Sequence, residues 1–166
     1  MSKASWKIRP ATPSDIEVLV ALRAHLLDGA STASYASRTS EERLRWKAAY
    51  RDWLEPVLAD GEHTRIAVAD RDGEVVACAT GLIDSRPPAP DCLSGWCGWV
   101  QSVVVSPPCR RQGIAERLMH ELLQWFAERG VTKVLLETTP AAEALYRKLG
   151  FVRSVEGLLS MSGDRP

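Results

Sequence analysis

A chain of 166 residues is one domain on the usual length prior and is long enough to bury a core of its own. With 45% hydrophobic and 25% charged residues it has the composition of an ordinary globular protein, and 21 basic side chains offset 21 acidic ones. Zero net charge excludes a nucleic-acid-coating surface, which needs a basic surplus to displace counterions. The four cysteines, Cys78, Cys92, Cys97 and Cys109, form no CxxC pair. Free thiols in a reducing cytoplasm are therefore expected, and neither a metal site nor a disulfide frame. No apolar stretch approaches the roughly 18 residues of a membrane span. The opening MSKASWKIRPATPSD lacks the apolar core of a secretory leader. A cytoplasmic location with no membrane partner is the expectation.

In chain order, a short strand at 6–9 leads through Pro10 and Pro13 into a helix at 15–27, with Thr12 or Ser14 able to cap it. Ile16, Leu19, Val20, Leu26 and Leu27 supply its apolar stripe. Residues 29–40 are rich in Ser, Thr, Ala and Gly and read as a mobile loop. A second helix covers 40–59, with Trp46 and Trp53 marking its buried face and Pro56 bending or breaking its end. The period then changes. Strands at 64–69 and 74–83 flank Asp70-Arg71-Asp72-Gly73, whose Asp-Gly pair is a strong hairpin signal.

Residues 86–94 contain three prolines and read as a loop, followed by a strand at 95–105 that is firmest from 99. A third helix spans 113–129, with Ala115, Leu118, Met119, Leu122 and Phe126 on one face. Gly130 ends it, and 131–137 returns as a strand parallel to the preceding one. A fourth helix covers 141–149, and 151–155 with 158–161 read as a closing antiparallel pair. Strands and helices in this order make an α/β protein, taken as a single domain over 1–166.

The richest segment is VVVSPPCRRQGIAERLM at 103–119. A β-branched run, a proline-marked break and a helix start place free backbone N–H groups and a positive dipole end beside Gly113, which lets a backbone approach an anion closely. Neither GxxxxGK[ST] nor GxGxxG is present, so a P-loop and a dinucleotide fingerprint are excluded.

The R-x-x-G-x-A spacing at 110–115 resembles the acyl-CoA pyrophosphate loop of the GNAT superfamily of N-acetyltransferases. AEALYRKLGFV at 142–152 resembles that family's A-x-x-L-Y-x-x-x-G-F segment position by position, and TGLIDSRPPAP is a weaker likeness to a loop of small-molecule members. The likeness covers nearly the whole chain and implies the GNAT fold, a mixed central sheet with splayed middle strands flanked by about four helices.

It further implies acetyl-CoA as acyl donor. Its pyrophosphate is held by Arg110, Arg111, Gln112, Gly113, Ile114 and Ala115, chiefly through backbone amides. The pantetheine arm then pairs with the strand at Val103, Val104 and Val105, where a β-bulge aims an N–H at the thioester carbonyl. Tyr146 falls at the family's acid position. A phenol with a reference pKa of about 10 suits a departing thiol of about 8.5. An aromatic packed in the core is the plainer reading of the same residue.

The general base is open. Where many members carry Glu, this chain has Gln101 and Ser102, neither a base at neutral pH. Ser102 suits the orientation of a water or amine, and Gln101 a hydrogen bond to substrate. Asp84, Asp91 and Glu137 are acidic alternatives, as is a water chain. His25, His63 and His120 read as surface residues. Trp96 and Trp99 flank the acceptor end and read equally as pocket walls or core. Residues 30–40 and 85–94 are the expected acceptor-pocket loops. The resemblance thus implies N-acetylation of a primary amine on a small molecule by direct attack, with a homodimer allowed. A protein N-terminal or lysine acetyltransferase, and a catalytically silent acyl-CoA-binding module, are the competing readings.

Overall fold

In a computed structural model, which describes residues 6–29, 33–59, 61–161 and 163, five strands form one sheet in sequence order. The strands are β1 (Lys7–Pro10), β2 (Thr64–Arg71), β3 (Glu74–Ser85), β4 (Trp96–Val105) and β5 (Lys133–Leu136). The first four pair antiparallel, and β5 lies parallel to β4. The helices are α1 (Ile16–Leu27), α2 (Ser40–Ala59), α3 (Ile114–Glu128) and α4 (Glu143–Lys148).

Period-two alternation on β2 and β3 divides the side chains between two cores. Ile66, Val68 and Cys78 face α1 and α2, where they meet Leu19, Val20, Tyr50 and Leu54. Ala67, Ala69, Ala77 and Ala79 face α3, which supplies Leu118, Met119, Leu122, Trp125 and Phe126. Small residues on the sheet are thus matched by large ones on the helix, each worth about 1.5–3 kcal/mol when fully buried. The match is close: a Cβ added at Gly98 would lie 2.8 Å from Phe126 Cε1, and one at Gly81 3.0 Å from Phe126 Cζ.

Local signals hold where their hydrogen bonds are local. The 70–73 turn closes with Asp72 and Gly73 at φ 54° and 90°, the two positive values that a two-residue hairpin of this twist requires. Asp15 receives the Thr12 N–H at 2.7 Å and two Arg9 guanidinium bonds at 2.7 and 3.0 Å. Arg9 also donates to Asp70 at 3.0 Å, so the start of α1 is clamped to β1 and β2. That pairing holds the Asp15 carboxyl below the usual carboxylate range.

Three expectations need correction. Helix α2 runs through Pro56 to Ala59, because Pro56 and Asp52 face solvent and water can take the carbonyl that proline leaves without a donor. Its buried residues are Tyr50 and Leu54, whereas Trp53 is 37% exposed. The closing strand pair at 151–155 and 158–161 is not formed: these residues carry no strand, and Val152, Val155, Leu158, Leu159 and Met161 are exposed. Arg153 instead binds Glu143 of α4 at 2.7 and 3.0 Å, which holds the segment's start to the helix. Residues 30–32 of the expected mobile loop lie outside the described residues.

Candidate active site

Strand β4 organises the site. It pairs with β5 only from Cys97↔Lys133 to Val100↔Leu136, then continues to Val105 while β5 stops. From Gln101 onward β4 pairs with β3 alone, so the sheet forks and one edge of β4 keeps its main-chain polar groups free of a strand partner. At the fork the β3–β4 register slips. Cys78 pairs Val104 and Thr80 pairs Gln101, leaving two residues of β4 opposite one of β3. The extra residue is a β-bulge, and Ser102 within it has φ 54°, a left-handed value that a residue with a Cβ adopts at a cost. Val104 points into the α1/α2 core, and Val103 and Val105 pack against the α3 side.

Beyond Val105 a 3-10 turn (Pro107–Cys109) leads to the loop before α3. Arg111 and Gly113 have φ 63° and 76°, and the amides of Arg111, Gln112, Gly113, Ile114 and Ala115 donate to no main-chain carbonyl among the described residues. Left-handed residues alternating with others turn successive N–H groups toward one concavity, an anion nest at a helix N-terminus. A Cβ at Gly113 would meet nothing within 4 Å, so the positive φ, not space, demands glycine there. The Arg110 side chain folds back onto Val105 O at 3.1 Å and ties the loop to β4.

Tyr146 sits on α4 on the α3 side of the sheet, 8% exposed. Its setting explains the Gly-Phe of the LYRKLGF run. The Phe151 N–H bonds to Tyr146 O at 3.0 Å and the Gly150 N–H to Arg147 O at 3.0 Å, with Gly150 at φ 94°. This is a Schellman cap, and its apolar contact is the Tyr146–Phe151 ring pair at 6.0 Å, edge to face. Burial pushes the Tyr146 phenol above its ordinary pKa, which keeps it protonated.

Gln101 and Ser102 open on the other face, into a cavity of about 400 Å³ beneath α1. Arg23, Leu26, Leu27, Tyr35, Trp99 and Glu137 share its lining, and an adjoining hollow adds Trp46, Tyr50, Trp53 and Thr80. Arg23 donates to Ser102 Oγ at 2.9 Å, and its guanidinium lies 4.6 Å from the centre of the Tyr50 ring. Tyr50 stacks on Trp53 at 5.9 Å, and burial pushes its hydroxyl up to about 12. Tyr146 lines a different cavity, on the far side of β5 with Val134, Leu136, Thr138 and Phe151. The bulge opens the stretch of β4 that β5 leaves unpaired, the loop at 111–115 follows that stretch, and Tyr146 belongs to the α3-side core that Val103, Val105 and Ile114 also join.

Of the three acidic alternatives, Asp84 pairs with Arg86 and Asp91 with Lys133. Glu137 alone of the three lines the cavity. His25, His63 and His120 are exposed, and Trp96 packs on His63 at 5.7 Å while Trp99 walls the cavity. The 85–94 loop contributes nothing to that cavity, whereas Tyr35 from the 30–40 loop does. Sequence reasoning missed Arg23, Thr80 and Tyr50. Arg23 had a signal: it stands where 16, 20, 23 and 27 define the apolar stripe of α1, a position where a cation is out of place.

Among known proteins, the model of the acetyltransferase (GNAT) family matches residues 26–151, well over half of the chain. The chain belongs to that family. A glucosamine 6-phosphate N-acetyltransferase of Oryza sativa subsp. japonica is 31% identical over 105 residues, 63% of this chain and 62% of the relative. The curated relatives are thus matched over less than two thirds of their own length. A GCN5-related N-acetyltransferase from Ralstonia eutropha superposes with a TM-score of 0.78 at 26% identity, covering 96% of this chain and 100% of that one. A predicted acetyltransferase with acetyl-CoA from Clostridium acetobutylicum shares the fold, with a TM-score of 0.77 at 20% identity over 95% and 96% of the two chains.

Proposed function

We propose that the chain transfers an acetyl group from acetyl-CoA to a primary amine on a small molecule, by direct attack. The fork between β4 and β5, with the bulge at Ser102 and the nest at its mouth, carries this reading. The amides of Arg111–Ala115 bind the pyrophosphate, with the Arg111 side chain adding charge. Pantetheine runs along the unpaired edge of β4 at Val103–Val105 and delivers the thioester to the fork. The amine enters from the cavity beneath α1, held by Gln101 and Ser102, and its nitrogen attacks the thioester carbonyl carbon. The C–S bond breaks, the departing thiolate takes the Tyr146 proton, and the ammonium proton passes to Glu137 or water.

A cysteinyl intermediate is disfavoured, because all four cysteines are buried and burial pushes the Cys78 thiol up to about 12. The rice relative's name, with its amine on a sugar phosphate, and a cavity sized for a small ligand favour a small acceptor over a protein.

Thermal unfolding with and without acetyl-CoA, followed by thiol release across amines and peptides, tests the reading. Saturating acetyl-CoA at about a hundred times its Kd is expected to add about 2.7 kcal/mol, roughly 5–10 °C in Tm. No shift at millimolar acetyl-CoA removes the donor assignment. A shift without thiol release from any acceptor leaves a silent acyl-CoA-binding module.

A further inference from the structure

Arg23 is the most unexpected residue of the cavity. Its half-buried side chain stands in the apolar stripe of α1, between Leu19 and Leu27, both buried. Helical packing alone asks for an aliphatic residue there, and a guanidinium withdrawn from water needs compensation. Among the described residues no carboxylate lies within ion-pair distance of it. It has the Ser102 hydroxyl at 2.9 Å and the face of Tyr50 at 4.6 Å, both neutral. One N–H goes to Ser102, and the other donors of the planar fork meet no anion among the described residues.

Thr80 is a second and independent anomaly. It is 3% exposed, yet its hydroxyl has no hydrogen-bond partner among the described residues. Its position on β3 has the parity of Cys78, so it faces the α1/α2 side opposite Gln101 and lines the same hollow as Arg23. A buried hydroxyl without a partner is costly in a finished core and ordinary where a ligand completes it. Glu137 shares the cavity with Arg23 without pairing to it. The cavity therefore holds a cation beside Ser102 and, unpaired with it, a carboxylate next to the end of β5.

We propose that the acceptor is an amine that also carries an anionic group, a carboxylate or a phosphate, and that Arg23 binds that group while the amine faces Gln101 and Glu137 at the fork. The inference rests on the transferase reading above. Arg23 is then a specificity residue: it selects the acceptor by charge and orients the amine toward the thioester. Thr80 supplies a further hydrogen bond to the anion or to a hydroxyl beside it.

Matched acceptor pairs that differ only in the anion provide the test. Glucosamine 6-phosphate against glucosamine forms one arm, and β-alanine against β-alaninamide the other, with thiol release as readout. The wild-type protein is expected to favour the anionic member by about tenfold or more in kcat/KM in one arm, which also tells phosphate from carboxylate. Arg23→Gln is expected to bring that ratio to about one, mainly through KM, with the acetyl-CoA thermal shift unchanged, and Arg23→Lys to restore part of it. A merely structural Arg23 lowers both members of a pair together. Equal rates within both wild-type pairs, a preference that survives Arg23→Gln, or no turnover in either arm overturns the proposal. The first two outcomes leave the transferase reading standing. If Arg23→Gln does not fold, the wild-type ratios and the Arg23→Lys ratios decide.

Discussion

In the proposed function the loop at 111–115 and the cavity beneath α1 serve the same fork in the sheet, but they are made differently. The loop offers main chain: five consecutive amides, shaped by positive φ at Arg111 and Gly113. The cavity offers side chains from α1, the 30–40 loop, β3, β4 and the end of β5. Backbone recognition is indifferent to most side chains and suits a pyrophosphate common to every acyl-CoA. Side-chain recognition can change residue by residue without disturbing the sheet. A constant donor and a variable acceptor are what this division accommodates.

The comparison can be broken at its donor end first. Gly113→Glu combines the cost of a left-handed φ, about 1–2 kcal/mol for a residue with a Cβ, with a carboxylate beside the pyrophosphate. It is expected to abolish the acetyl-CoA thermal shift while the unliganded protein still unfolds cooperatively. A retained shift would mean that the amides of 111–115 are not the donor site. Tyr146→Phe comes next: a loss of about a hundredfold in kcat with the acetyl-CoA shift preserved is the expected result. Unchanged turnover would return Tyr146 to the Schellman contact with Phe151 as its whole role.

The smallest effect falls on the scaffold of the acceptor side. Asp15 receives Arg9 and the Thr12 amide at the start of α1, the helix that carries Arg23. Its folded pKa is depressed, so its contribution is complete above the unfolded value of about 4 and is lost as pH falls through the folded one. Asp15→Asn is expected to lower Tm by a few degrees at pH 7 and to flatten the acid limb of stability. Acceptor KM should rise with the acetyl-CoA shift kept. An equal loss on both sides would show that the two halves are not separable.

These differences also decide what was legible beforehand. The hairpin at 70–73, the helix at 114–128 and the 110–115 loop depend on partners a few residues apart or on a strong apolar period, and the parallel return of β5 follows from the crossover through α3. Tyr146 is singled out by the likeness of 142–152 to the family's segment, and the Gly150-Phe151 cap that seats it lies within five residues. The bulge at Ser102 was undetectable in a run of β-branched residues, because it exists only as a mismatch with β3. The apolar pattern at 151–161 had the look of strands, but alternation only offers a face. Among the described residues no sheet edge receives it, and Arg153 is committed to Glu143 instead.

By itself the sequence determined the α/β class, the order of its main elements and the glycine-bearing loop before α3, because turns, caps and nests are closed by backbone geometry within one short segment. Only the tertiary structure decided the acceptor side. Arg23 and Ser102 stand 79 residues apart in the chain and 2.9 Å apart in space, and the packing of β3 beneath α1 and α2 leaves Thr80 without a partner among the described residues. A cation in an apolar stripe is visible in one dimension, but whether it meets a carboxylate, a hydroxyl or a ligand depends on which strand the fold slides beneath it.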